Sequence, residues 1–143
     1  IGNLAVSTAK IGDNMVTFPL AVINATSTDL TTSSGLTTLA TLTATRTGAP
    51  AQIVASCSAV APIGAGTSGY GRFDWELWRG STRVRSFTNA KVQGENSPTM
   101  SIFYTDTIST TSTYYLKADV TTLSNATALR FLLPSITFIE LKK

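Results

Sequence analysis

The stretch FDWELWRGSTRVRS, residues 73–86, leaves little freedom in local fold. Apolar and polar side chains alternate on both sides of Gly80-Ser81, and period-two alternation marks a strand with one buried face. A two-residue loop with glycine first suits a type II′ turn, whose twist matches that of the strands it joins. That hairpin register pairs Leu77 with Val84, Glu76 with Arg85, Trp78 with Arg83 and Trp75 with Ser86. Phe73, Trp75, Leu77 and Val84 then form an inner face, and Asp74, Glu76, Trp78, Arg83 and Arg85 an outer one. Glu76–Arg85 reads as an ion pair and Trp78–Arg83 as a cation–π contact.

The remainder of the chain agrees with this local choice. Charged residues make up only 13% of the 143 positions, and threonine is abundant, with a branched Cβ that favours a pleated, half-buried backbone. LTTLATLTATRT stops at Gly48-Ala49-Pro50, and QIVASCSAVAP ends at Pro62. SPTMSIFYTDT, TYYLKADVTT and ALRFLLPSITFIELKK supply further strands. Their regular spacing predicts an all-β fold, a jelly-roll-like antiparallel β-sandwich of about seven or eight strands. The sandwich head is expected over residues 36–143, with the turn-rich INATSTDLTTSSG, in 21–35, as a polar connector.

Residues 1–20 pose a different problem, because the phrase IGNLAVSTAK is echoed by IGDNMVTFPL. So short a repeat cannot bury its own apolar side chains and normally stacks on neighbours or on other chains. Ile1, Leu4, Thr8, Ile11, Met15 and Phe18 fall at heptad-like spacing, whereas Gly2, Gly12 and Pro19 oppose a continuous helix. Both arrangements demand partner chains. Residues 1–20 are thus expected to be the foot of a trimeric stalk, with Ile1, Leu4, Ile11, Val16 and Phe18 at the trimer interface. The closing segment ITFIEL, apolar on both faces, is expected to add to that interface.

The residue inventory is poorly suited to catalysis. Histidine is absent, which removes the commonest general base and metal ligand. Cys57 is the single cysteine and sits in an apolar run, where a buried, inert thiol is expected. Asp74 and Glu76 lie two apart on one strand face, within reach of glycosidase separations, but Glu76 is committed to its ion pair. Asp106 is the next acid to consider were hydrolysis found. No catalytic residue, metal site or cofactor is therefore expected. The net charge of +3 comes without a basic stripe or nucleic-acid motif. No apolar run reaches the ~20 residues that span a bilayer, so no membrane insertion is expected. The glycine-rich IGAGTSGYG lacks the lysine of a phosphate-binding loop and reads as a tip loop. Asn24-Ala-Thr and Asn125-Ala-Thr match the glycosylation pattern, which has meaning only in a eukaryotic host.

Binding is the better-equipped alternative. Trp78, flanked by Asp74, Glu76, Arg83 and Arg85, offers a flat aromatic face with hydrogen-bonding groups, the combination that holds a sugar ring. Tyr70, beside the glycine loop, has a similar claim. The opening I-G-N-L-A-V-S-T-A-K-I-G-D-N resembles phrases that recur in the shafts and necks of bacteriophage tail fibres and tip proteins. W-E-L-W-R-G, T-Y-Y-L-K-A-D-V and the closing S-I-T-F-I-E-L-K resemble the β-sandwich heads that end such fibres. The resemblance implies a homotrimeric, extracellular virion component whose head attaches to a bacterial surface receptor, a polysaccharide or an outer-membrane protein. It carries over no binding residues. Two alternatives stay open: a monomeric secreted or surface carbohydrate-binding module, and a structural fibre or decoration protein without a receptor.

Overall fold

A computed structural model of the chain describes residues 19–46, 48–61 and 69–141. The expected stalk contacts of Ile1, Leu4, Ile11, Val16 and Phe18 lie outside the described residues, as does most of the glycine-rich loop. Nine strands run through the described residues: β1 (Pro19–Ile23), β2 (Thr28–Leu30), β3 (Thr37–Ala44), β4 (Ala51–Val60), β5 (Tyr70–Arg79), β6 (Thr82–Gln93), β7 (Thr99–Asp106), β8 (Ser112–Ser124) and β9 (Leu129–Glu140). They form two antiparallel sheets. Sheet A has the order β1-β9-β4-β7 with β2 also on β9, and sheet B the order β3-β8-β5-β6. Chain and sheet order together are those of a double-Greek-key jelly roll.

Strand pairing begins at Pro19, ahead of the Leu36 expected. The segment read as a polar connector contributes β2 and the last three residues of β1, whose first two, Pro19 and Leu20, were expected in the stalk; both strands pair with β9. They are two pieces of one edge, interrupted where the Asn24 carboxamide oxygen accepts the Thr26 N–H and its Nδ2 donates to Leu39 O. Leu30 is buried in the core, and Asp29 faces Arg130 across the pair, accepting from Nε at 2.7 Å and Nη2 at 2.9 Å. In β2 the polar composition reflects an edge strand rather than a loop.

The layers pack by size. The inward side chains of β4 are mostly small, with Ala51, Ala55, Cys57 and Ala59 around one larger Ile53. The close approaches of β1 to β3, β9 to β8 and β7 to β6 put β4 over β5, whose inward Phe73, Trp75 and Leu77 are at most 1% exposed. Large against small lets the layers interdigitate without voids. Phe73 meets Phe131 edge-on across the layers, centroids 5.1 Å apart. At Gly71 the approach is closer still, since a Cβ there would lie 2.5 Å from Leu129.

One end of the sandwich is closed by charge. Arg46, Asp106 and Glu140 are all under 8% exposed. Arg46 Nη2 donates to Ala49 O at 2.6 Å and Asp106 O at 3.2 Å, and its Nε lies 3.7 Å from Glu140. The Asp106 carboxylate accepts the Tyr114 hydroxyl at 2.7 Å, Arg79 at 3.2 Å and the Ile108 N–H at 2.8 Å. Two cations thus meet two carboxylates where β3, β5, β7, β8 and β9 end or begin.

The hairpin turn is as expected in position and hand. Gly80 has φ +54°, Ser81 has no positive φ, and Arg79 pairs with Thr82. The register beyond the turn differs. Trp78 does face Arg83, but Leu77 faces Arg85, Glu76 faces Ser86 and Trp75 faces Phe87. The cause is an extra β6 residue at Val84, followed by a second near Asn89, which has φ +61° and donates its N–H to Asp74 at 2.8 Å. β6 is the edge of sheet B, and bulges there discourage edge-to-edge pairing.

Two outcomes follow from this packing. For Asp106, burial raises the pKa, but the Ile108 N–H, the Tyr114 hydroxyl and Arg79 outweigh it and hold the carboxyl below its ordinary value. A carboxyl depressed in the fold stabilises above its unfolded value near ~4, and that contribution fades as pH falls through the folded value. Asp106→Asn is expected to cost ~3 kcal/mol in urea unfolding and to flatten the loss of stability below about pH 4. Burial pushes the Cys57 thiol up to about 12, so a thiol reagent at neutral pH should label it only at the rate of unfolding.

Candidate functional site

The outer surface of sheet B gathers most of the side chains anticipated from the sequence. Glu76, in the middle of β5, is its hub. One carboxylate oxygen accepts Trp78 Nε1 at 2.6 Å and the other accepts Arg83 at 2.8 Å. Trp78, Glu76 and Arg83 therefore do come together, although Glu76 takes Arg83 rather than Arg85 as its ion partner. Asp74 lies two residues along the same face, opposite Asp119 of β8, and is engaged by the Asn89 N–H.

Two further side chains belong to this strip and come from β8. Tyr115 pairs with Trp78 and Lys117 with Glu76. The Lys117 ammonium sits 4.5 Å from the Trp78 ring centroid and 5.4 Å from that of Tyr115. The cation expected over Trp78 is thus Lys117, not Arg83. The alternation in TYYLKADV puts Tyr115, Lys117 and Asp119 on one face and was a usable signal. That β8 lies beside β5 was not, because that adjacency is a matter of topology.

Arg85 and Tyr70 stand apart from the strip. The bulge at Val84 turns Arg85 toward the gap between the sheets, where its guanidinium lies 5.4 Å from the Tyr104 ring centroid. There it borders a shallow depression of about 230 Å³ with Gln52, Phe103 and Thr105. Tyr70 is on the same strand as Trp78, but ~27 Å away at the strand rise, and carries Lys91 4.6 Å from its ring centroid. Phe87 and Phe103, on the two strands that edge this side of the sandwich, are 56% and 69% exposed. Neither was singled out by sequence.

Chemically the strip is a rigid platform. Its groups stand on paired strands, two half-buried aromatic rings lie beside ammonium and guanidinium donors, and Glu76 is saturated by its neighbours. Among the described residues, no group of three or more acidic, cysteine or histidine side chains could hold a metal.

No protein-family model and no curated protein matches the chain. Among solved structures, its fold is similar to that of a chain in the structure of infectious bursal disease virus, Gx strain, with a TM-score of 0.60 at 8% sequence identity. The match covers 87% of this chain and 33% of that one, so the chain spans a third of the length of its structural relative. At that identity the likeness is one of fold: the two proteins share the two-layer β architecture.

The geometry of the strip predicts separable effects. Glu76→Ala removes the acceptor of Trp78 and Arg83 and is expected to cost ~2 kcal/mol in denaturant unfolding. Lys117→Ala should cost under ~1 kcal/mol while making Trp78 more accessible. Acrylamide quenching should then rise for one of the two tryptophans, with Trp75 staying protected in the core.

Proposed function

We propose that this chain is the receptor-binding head of a bacteriophage tail fibre, a non-catalytic, homotrimeric component of the virion that attaches to a bacterial surface polysaccharide or outer-membrane protein. The observation that carries this is the contrast between the two outer faces of the sandwich. Sheet B presents Trp78 and Tyr115 among Lys117, Arg83 and Asp74, whereas the central rows of sheet A present no ionisable side chain. A rigid two-faced sandwich of this kind can display one face to a ligand while the other meets further copies. The resemblance of the opening phrase to fibre shafts, and the fold shared with a chain of a virus structure, support the same assignment. Three heads engaging one surface would multiply weak individual contacts.

Saturation of Glu76 and coverage of Trp78 by Lys117 favour a second reading, in which the strip is self-contained and the chain is a structural fibre or decoration component. Cell binding separates the two. Labelled protein incubated with candidate host bacteria is expected to bind saturably, and Trp78→Ala combined with Arg83→Ala to weaken binding about tenfold or more with melting temperature retained. Saturable binding that the paired substitution leaves unchanged would move the receptor site off sheet B. Absence of binding across hosts and a glycan panel would favour the structural role. Release of reducing ends from bacterial polysaccharide would overturn the non-catalytic assignment.

A further inference from the structure

The outer face of sheet A calls for a separate explanation. Aligned across the four strands, one row runs Ala21, Thr137, Val54, Phe103. The row beside it begins at Ile23 and continues through Ser135, Ser56 and Ser101, and the row on the other side places Ile139 and Gln52 between Pro19 and Thr105. These three rows contain no ionisable residue. Charge appears at the β2 end of the sheet, where Arg130 and Asp29 neutralise each other. Solvated sheet faces ordinarily alternate apolar-in with polar or charged-out.

Exposure on this sheet is costly in two independent ways. Phe103 and Ile23 are 69% and 66% exposed, which makes them the most exposed large apolar side chains among the described residues. Leu133, in the bulge of β9, is 60% exposed while holding a left-handed backbone of φ +48°, a region that favours glycine. A covering partner would account for both.

We infer that the outer face of sheet A is an interface with a second copy of this chain. Three observations select that occupant. The rows carry no charge of their own and meet a cation only at the β7 border, where Arg85 lies beside Gln52, Phe103 and Thr105. Two copies of a chain of net charge +3 therefore meet there with less repulsion than across sheet B, which presents Arg83 and Lys117. Four strands spaced ~4.8 Å apart and ~25 Å long project ~500 Å² before side-chain relief is counted, close to the ~600 Å² per partner of the smaller stable interfaces. Finally, the repeated phrase of residues 1–20, which the proposed stalk would have other chains cover, precedes or enters β1 at the edge of this same sheet. The inference rests on the chain being one head of an oligomeric fibre and adds which surface joins the heads.

Sedimentation velocity on the full chain across the micromolar range tests it. The wild-type chain is expected to sediment as an oligomer. Val54→Lys combined with Phe103→Glu should raise the dissociation constant at least about tenfold. Lys117→Glu, on the opposite face, should leave the mass unchanged. The substituted side chains face outward, so far-UV spectra should match wild type; Thr137→Lys, in the same row, provides a second variant should the pair fail to fold. An oligomer indifferent to the sheet A variants, or dissociated by Lys117→Glu, would overturn this interface and leave the head assignment standing. A monomeric wild-type chain would overturn the interface and the oligomeric head together, while attachment to cells is judged by the separate binding assay.

Discussion

Arg46 holds a position on which much of the sandwich depends. Its guanidinium is buried beside Asp106, Glu140 and the Phe138 ring, at the end where five strands of both sheets start or stop. A buried cation is tolerated only when paired and hydrogen-bonded, so its presence requires Asp106, Tyr114 and Glu140 to be brought to one place. β7 and β9 must then end, and β8 begin, level with the end of β3. The cluster specifies alignment of the two layers at that end, a task the apolar core performs less sharply, since hydrophobic packing tolerates sliding better than a charge network does.

With that end anchored, the two sheets carry different loads. Sheet B has its edge in β6, where two bulges and the inward-turned Arg85 break the regular array of backbone groups. Its outer face is a network of rings, ammonium groups and carboxylates that satisfy one another. Sheet A keeps a nearly regular ladder and an outer face of serine, threonine and aliphatic side chains. One protein thus separates a polar aromatic surface from a neutral one by the thickness of a sandwich. In the attachment head we propose, that separation would keep assembly and recognition from competing for the same residues.

Much of this was legible along the chain. Alternation gave the inner face of β5 and the grouping of Trp78 with Glu76 and Arg83, and the apolar run around Cys57 gave its burial. ITFIEL, read as apolar on both faces, instead turns Ile136, Phe138 and Glu140 inward. What escaped were pairings that depend on more than period. The extra residue at Val84 breaks no alternation rule, yet it moves Glu76 from Arg85 to Ser86 and sends Arg85 to the opposite side. β2 was hidden by the polar side chains of an exposed edge, and β1, the apolar PLAVI, by its place across the boundary drawn between stalk and connector. Lys117 over Trp78 required knowing that β8 lies beside β5.

The division has a physical origin. A strand's two faces are set by adjacent residues, since successive side chains point to opposite sides, so the sequence by itself determined that this is a β protein, which side chains of β5 face its core, and where the Gly80-Ser81 turn falls. Strand neighbours and bulges are settled by the global balance of loop closure, layer packing and buried charge. Arg46 and Asp106 are sixty residues apart, and no local pattern marks either as buried. Only the tertiary structure decided that they meet, that Tyr115 and Lys117 complete the strip around Trp78, and that the central rows of sheet A are left without charge.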